Sequence, residues 1–80
     1  MKQADYSHIG KNLHIYRQAK KLTQDRLAKE AGISRTAYRN IETSASMPTV
    51  NTLINICNAL GVQFQDVLKP ARELRKIKWN

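Results

Sequence analysis

An all-α bundle of five short helices is the fold this 80-residue chain predicts. Apolar residues recur every three or four positions in one stretch after another, the spacing that lines one helical face. Residues that start and stop helices stand between those stretches: Thr23, Ser34 and Thr49 as caps, Gly32 and Gly61 as terminators. The length allows one domain at most, with a modest core that needs economical helix packing or a partner.

Residues 1–6 read as a loose N-terminal arm. Ser7 or Asp5 caps a first helix over about residues 7–20, where Ile9, Leu13 and Tyr16 share a face. Lys11, His14, Gln18 and Lys21 lie off that face, and Arg17 lies beside it. The next stretch, TQDRLAKEAGISRTAYRNIE (residues 23–42), organises the rest. Thr23 caps a second helix with Leu27, Ala28 and Ala31 as its apolar stripe, and Gly32 ends it in a conformation glycine tolerates. Ile33 plugs the turn, and Ser34 caps a third helix whose inward residues are Ala37, Tyr38 and Ile41. Its outward residues, Arg35, Thr36, Arg39 and Asn40, all hydrogen-bond and include no carboxylate. A loop, TSASMP, leads to Thr49 and a fourth helix over about 50–60, with Leu53, Ile56, Cys57 and Leu60 on its core face. Val62, Phe64, Val67 and Leu68 pack a fifth helix over about 64–69. The tail, residues 70–80, alternates basic and apolar residues from Arg75, compatible with a short strand or with a frayed helix carrying Leu74 and Ile77 on one face.

Two helices joined by a tight turn are the shape of a helix-turn-helix, in which the second helix enters the DNA major groove. The match goes further. Thr23-Gln24, Leu27-Ala28, Gly32, Ser34 and Ile41-Glu42 resemble the Cro/CI-type (XRE-family) domain of phage and bacterial repressors, over residues 7–69. The resemblance implies a lambda-repressor-like bundle. It departs from the family at Ser44, where the loop often carries glycine, which predicts a somewhat different loop backbone.

Base edges are read by donors and acceptors. Arg35 suits guanine, Asn40 suits adenine, and Thr36 offers a hydroxyl and a methyl to thymine; the resemblance places base contacts at these positions. Arg39 reads a base or reaches a phosphate. Gln24 matches the family's phosphate-clamping glutamine, at a helix N-terminus that itself attracts anions. Thr43, Ser44 and Ser46 follow the reading helix as further phosphate donors or as an ordinary polar loop, and Lys11 and Lys21 add less specific contacts. Arg17 and Glu42 match the family's structural ion pair. Tyr38 fills the core or tilts the reading helix. Ile54 lies off the core face of helix four; with Ile77 and Trp79 it is the candidate for a homodimer contact, the alternative being a scattered exposed residue.

The charge is placed as a polyanion partner requires. Net charge is +8, and residues 1–42 carry nine basic against four acidic side chains. Residues 43–68 carry only Asp66, and residues 69–80 five basic against one acidic. The lone Cys57 rules out an intramolecular disulfide and reads as core packing. His8 and His14 lack metal-site companions and read as solvated. No cofactor, small-molecule ligand, catalytic constellation or membrane span is expected, and the expected location is the cytoplasm, at the nucleoid. The expected function is a double-stranded-DNA-binding regulator, a repressor acting as a homodimer on an inverted repeat. The rival readings are an antitoxin-type module binding a protein through the tail, and the N-terminal domain of a larger regulator.

Overall fold

A computed structural model of the chain describes residues 7–69. Among the described residues there are five helices and no strand: α1 (Ser7–Ala19), α2 (Gln24–Ala31), α3 (Arg35–Glu42), α4 (Val50–Leu60) and α5 (Phe64–Val67).

Each interior helix starts as the caps require. The Thr23 hydroxyl accepts from Arg26 N–H at 3.0 Å, Ser34 from Ala37 N–H at 3.0 Å, and Thr49 from Thr52 N–H at 3.1 Å. The four longer helices end alike. A left-handed residue donates its N–H three residues back, and its successor donates five residues back, a Schellman closure. Those left-handed residues are Lys21, Gly32, Ser44 and Gly61. Ser44, with φ of 67°, thus takes the left-handed backbone that glycine adopts without strain.

The core joins Ile9, Leu13 and Tyr16 of α1 to Leu27, Ala28 and Ala31, Tyr38 and Ile41, Leu53, Ile56, Cys57 and Leu60, and Val67. Leu22, Ile33, Val62 and Phe64 pack against its edge. The most extensive packing is α2 on α4, followed by α2 on α3 and α1 on α3. Tyr38 is fully buried, and burial pushes the Cys57 thiol up to about 11, with Asp66 adding to the shift.

Two buried residues of α1 set how closely its neighbours approach. Gly10 packs on the last carbonyls of α3: a Cβ there would overlap the Glu42 oxygen and stand 2.7 Å from the Ile41 oxygen. Asn12 donates from Nδ2 to the carbonyls of Val67 (2.7 Å) and Lys69 (2.6 Å). The fifth helix ends earlier than expected. α5 ends at Val67, two residues short of the expected end, and Leu68 turns outward instead of joining the core.

Candidate nucleic-acid interface

The outward side of α3 is built by its two ends. Ser34 starts the helix, and the buried Tyr38 and Ile41 fix its rotation against the core. With that rotation set, Arg35, Thr36 and Arg39 are exposed and Asn40 is half-buried. The Asn40 carbonyl accepts from the N–H groups of Ala45 (2.8 Å) and Ser46 (3.1 Å), which ties the following loop to the helix. Thr43 donates its hydroxyl to the Arg39 carbonyl at 3.0 Å. Ser44, Ser46, Lys11 and Lys21 are exposed. Ile54 is 39% exposed on α4, while Ile77 and Trp79 lie outside the described residues.

Behind this surface lies a polar junction. Arg17 grips Glu42 at two points, Nε to Oε2 at 2.9 Å and Nη2 to Oε1 at 2.9 Å, and donates from Nη1 to the Leu22 carbonyl at 2.7 Å. His14 Nδ1 lies 2.7 Å from Glu42 Oε1, and Gln24 donates to the same oxygen from Nε2 at 3.3 Å. One carboxylate at the end of α3 therefore ties together α1, the start of α2 and α3. Desolvation pushes the Glu42 carboxyl up, but the hydrogen bonds from Arg17, His14 and Gln24, with the Tyr38 hydroxyl beside them, outweigh it and hold the pKa at about 2. Arg17 is raised in turn, chiefly by its bond to Glu42. The Tyr38 hydroxyl is buried beside this pair without a well-formed hydrogen bond, and burial pushes its pKa far up.

Both histidines also hydrogen-bond within the protein. His14 is a member of the junction, and His8 Nε2 lies 2.7 Å from the Leu68 carbonyl oxygen. His14 precedes Arg17 by three residues, so the two share a helix face, a spacing that could have placed it beside Glu42. Asn12 could have been found as a polar residue inside the Ile9–Leu13–Tyr16 stripe. Gly10 carried a weaker sign, a glycine where a helix interior pays about 1 kcal/mol for one.

Residues 13–67 match the helix-turn-helix family HTH_3. The chain belongs to that family. It is 44% identical over 61 residues to the uncharacterized HTH-type transcriptional regulator YqaE of Bacillus subtilis (strain 168), a match covering 76% of this chain and 53% of that protein. It is 33% identical over 60 residues to the immunity repressor protein of Bacillus phage phi105, covering 75% of this chain and 42% of that one. The chain thus spans about half the length of these curated relatives. Among solved structures, the restriction-modification controller protein C.AhdI from Aeromonas hydrophila superposes with a TM-score of 0.76 at 25% identity, over 81% of this chain and 98% of that one. A hypothetical transcription factor, NHTF from Neisseria, gives 0.81 at 25% identity, over 88% and 80%.

Proposed function

We propose that the chain binds duplex DNA sequence-specifically and represses transcription, with α3 in the major groove. One observation carries this reading. The exposed side of α3 presents Arg35, Thr36 and Arg39, with Asn40 half-exposed beside them, and every carboxylate of that helix is turned away into the Arg17 grip. Arg35 and Thr36 stand in the first turn, the part of such a helix that reaches base edges. Asn40 reads a base one turn later, and Arg39 reads a base or takes a phosphate. Gln24, Thr43, Ser44, Ser46, Lys21 and Lys11 take backbone phosphates and fix register. A repressor role draws on relatives such as the phi105 immunity repressor and the cryptic phage CTXphi repressor RstR of Vibrio cholerae.

The protein acts as a homodimer on an inverted repeat, its two reading helices about 34 Å apart in successive major grooves. Exposed Ile54 and, one turn before it, exposed Val50 give α4 an apolar strip for that contact. The proposed contact also includes Ile77 and Trp79 of the tail, which lie outside the described residues. A monomer mass that stays constant with concentration in sedimentation would overturn the dimer.

The deciding experiment selects bound duplexes from a random library and measures the enriched duplex with Arg35→Ala at two salt concentrations. Enrichment of an inverted repeat is expected, with a loss of ~1–3 kcal/mol in Arg35→Ala and little change in salt slope. Binding without any enriched sequence overturns the reading.

A further inference from the structure

His14 is placed in a way that its hydrogen bonds inside the protein do not use up. Its Nδ1 lies 2.7 Å from Glu42 Oε1, a separation at which the nitrogen carries the hydrogen, since two acceptors would repel. Arg17 Nη2, 3.2 Å from the same nitrogen, is itself committed to Glu42 Oε1. Nδ1 is therefore fixed on the protein, while Nε2 makes no hydrogen bond among the described residues. The side chain is 50% exposed. It borders an open groove of about 490 Å³ lined by Lys11, His14, Ile15, Glu42 and Thr43. The groove runs between α1 and the end of α3, and Gln24 at the start of α2 reaches the same Glu42 oxygen as His14. Arg17 neutralises the Glu42 carboxylate, so the groove's uncompensated charge is the Lys11 ammonium.

We propose that His14 is a phosphate-binding residue of the DNA interface, holding a backbone phosphodiester oxygen on Nε2 as the imidazolium, with Lys11 and Thr43 in the same groove. The inference rests on the DNA-binding reading. A phosphodiester oxygen is an acceptor only, and Nε2 of a neutral ring that donates through Nδ1 is an acceptor too. The contact therefore needs a hydrogen on Nε2 as well as on Nδ1, which only the imidazolium carries. The charged groups around the ring are Glu42, Arg17 and Lys11. Gln24 from α2 is neutral. His8, on the same helix, faces the Leu68 carbonyl and serves as the control.

The test measures affinity of the full chain for the duplex enriched by selection, from about pH 8 to about pH 6, at several salt concentrations, for wild type, His14→Gln and His8→Gln. Histidine changes charge in this range, so wild-type affinity is expected to rise roughly three- to tenfold as pH falls. Its salt slope should steepen by about 0.9, the counterion released at one added phosphate contact. His8→Gln should keep both effects and His14→Gln should lose both, with denaturant unfolding confirming that each variant is folded. A salt slope unchanged with pH in wild type overturns the proposal without touching the DNA reading, and needs no variant to fold. Retention of both effects in His14→Gln overturns it equally. Failure of the wild type to bind any duplex overturns both.

Discussion

The helices pair into two junctions of opposite character. Where α2 meets α4, the contributing side chains are apolar: Leu27, Ala28 and Ala31 against the stripe of Leu53, Ile56, Cys57 and Leu60. Where α1 meets α3, the contact is a glycine on carbonyl oxygens and a carboxylate gripped by an arginine, a histidine and a glutamine. The helix ends follow the same division. α2 and α4 close with Gly32 and Gly61, which adopt positive φ without strain. α1 and α3 close with Lys21 and Ser44, which pay for the same backbone. The second junction sits directly behind the residues proposed to touch DNA, and its strained positions hold an ammonium and a hydroxyl where glycine would hold nothing.

The largest expected effect sets the two junctions against each other. Glu42→Ala leaves the Arg17 charge without its partner and should destabilise by ~3–5 kcal/mol, comparable with the ~2–5 kcal/mol of Leu27→Ala in the apolar junction. The difference lies in what restores stability. Replacing both partners, Arg17→Met with Glu42→Met, should return the protein to within ~1–2 kcal/mol of wild type, yet still weaken DNA binding because Gln24 and His14 lose their anchor. Denaturant unfolding together with duplex binding checks both halves. A double variant that stays as unstable as Glu42→Ala would show that the polar junction stabilises in its own right.

Acid probes the same pair. The Glu42 carboxyl lies at about 2 in the folded chain against an ordinary 4.5, so folding lowers it. Its contribution is complete above the ordinary value and is lost as pH falls from there toward 2, about 3 kcal/mol in all. Unfolding free energy measured down that range should fall in wild type, and this part of the fall should be absent from the Arg17→Met, Glu42→Met variant.

The smallest effects sharpen the contrast between helix ends. Lys21→Gly should stabilise by ~0.5–1 kcal/mol by relieving its left-handed backbone, while loosening salt-dependent DNA binding. Gly32→Ala should cost ~1 kcal/mol at φ of +77°, where no neighbouring atom stands within 4 Å of the added carbon. Equal stability of Lys21→Gly and wild type would mean the position carries no strain.

The apolar junction was legible in the sequence because its signals are local. Stripes, caps and glycine stops each involve residues within one or two turns, and they placed four helices to within a residue at each end. The outward face of α3 was legible for the same reason: once Ser34, Tyr38 and Ile41 orient the helix, Arg35, Thr36 and Arg39 must face outward. The polar junction was legible only in its Arg17–Glu42 pair, through family resemblance. His14 was read as solvated because its partner is 28 residues away. Asn12 and the early end of α5 depend on carbonyls more than 50 residues further on.

By itself, then, the sequence determined the helices, their order, the buried stripes and the basic, carboxylate-free face, all consequences of short-range periodicity and capping. Only the tertiary structure decided that α1 approaches α3 closely enough to demand Gly10. It alone decided that the carboxylate paired with Arg17 also gathers Gln24 and His14, and that a serine takes a glycine's backbone. These depend on how helices distant in sequence come to rest against one another, and a hydrogen bond or a missing Cβ acts only once that contact exists.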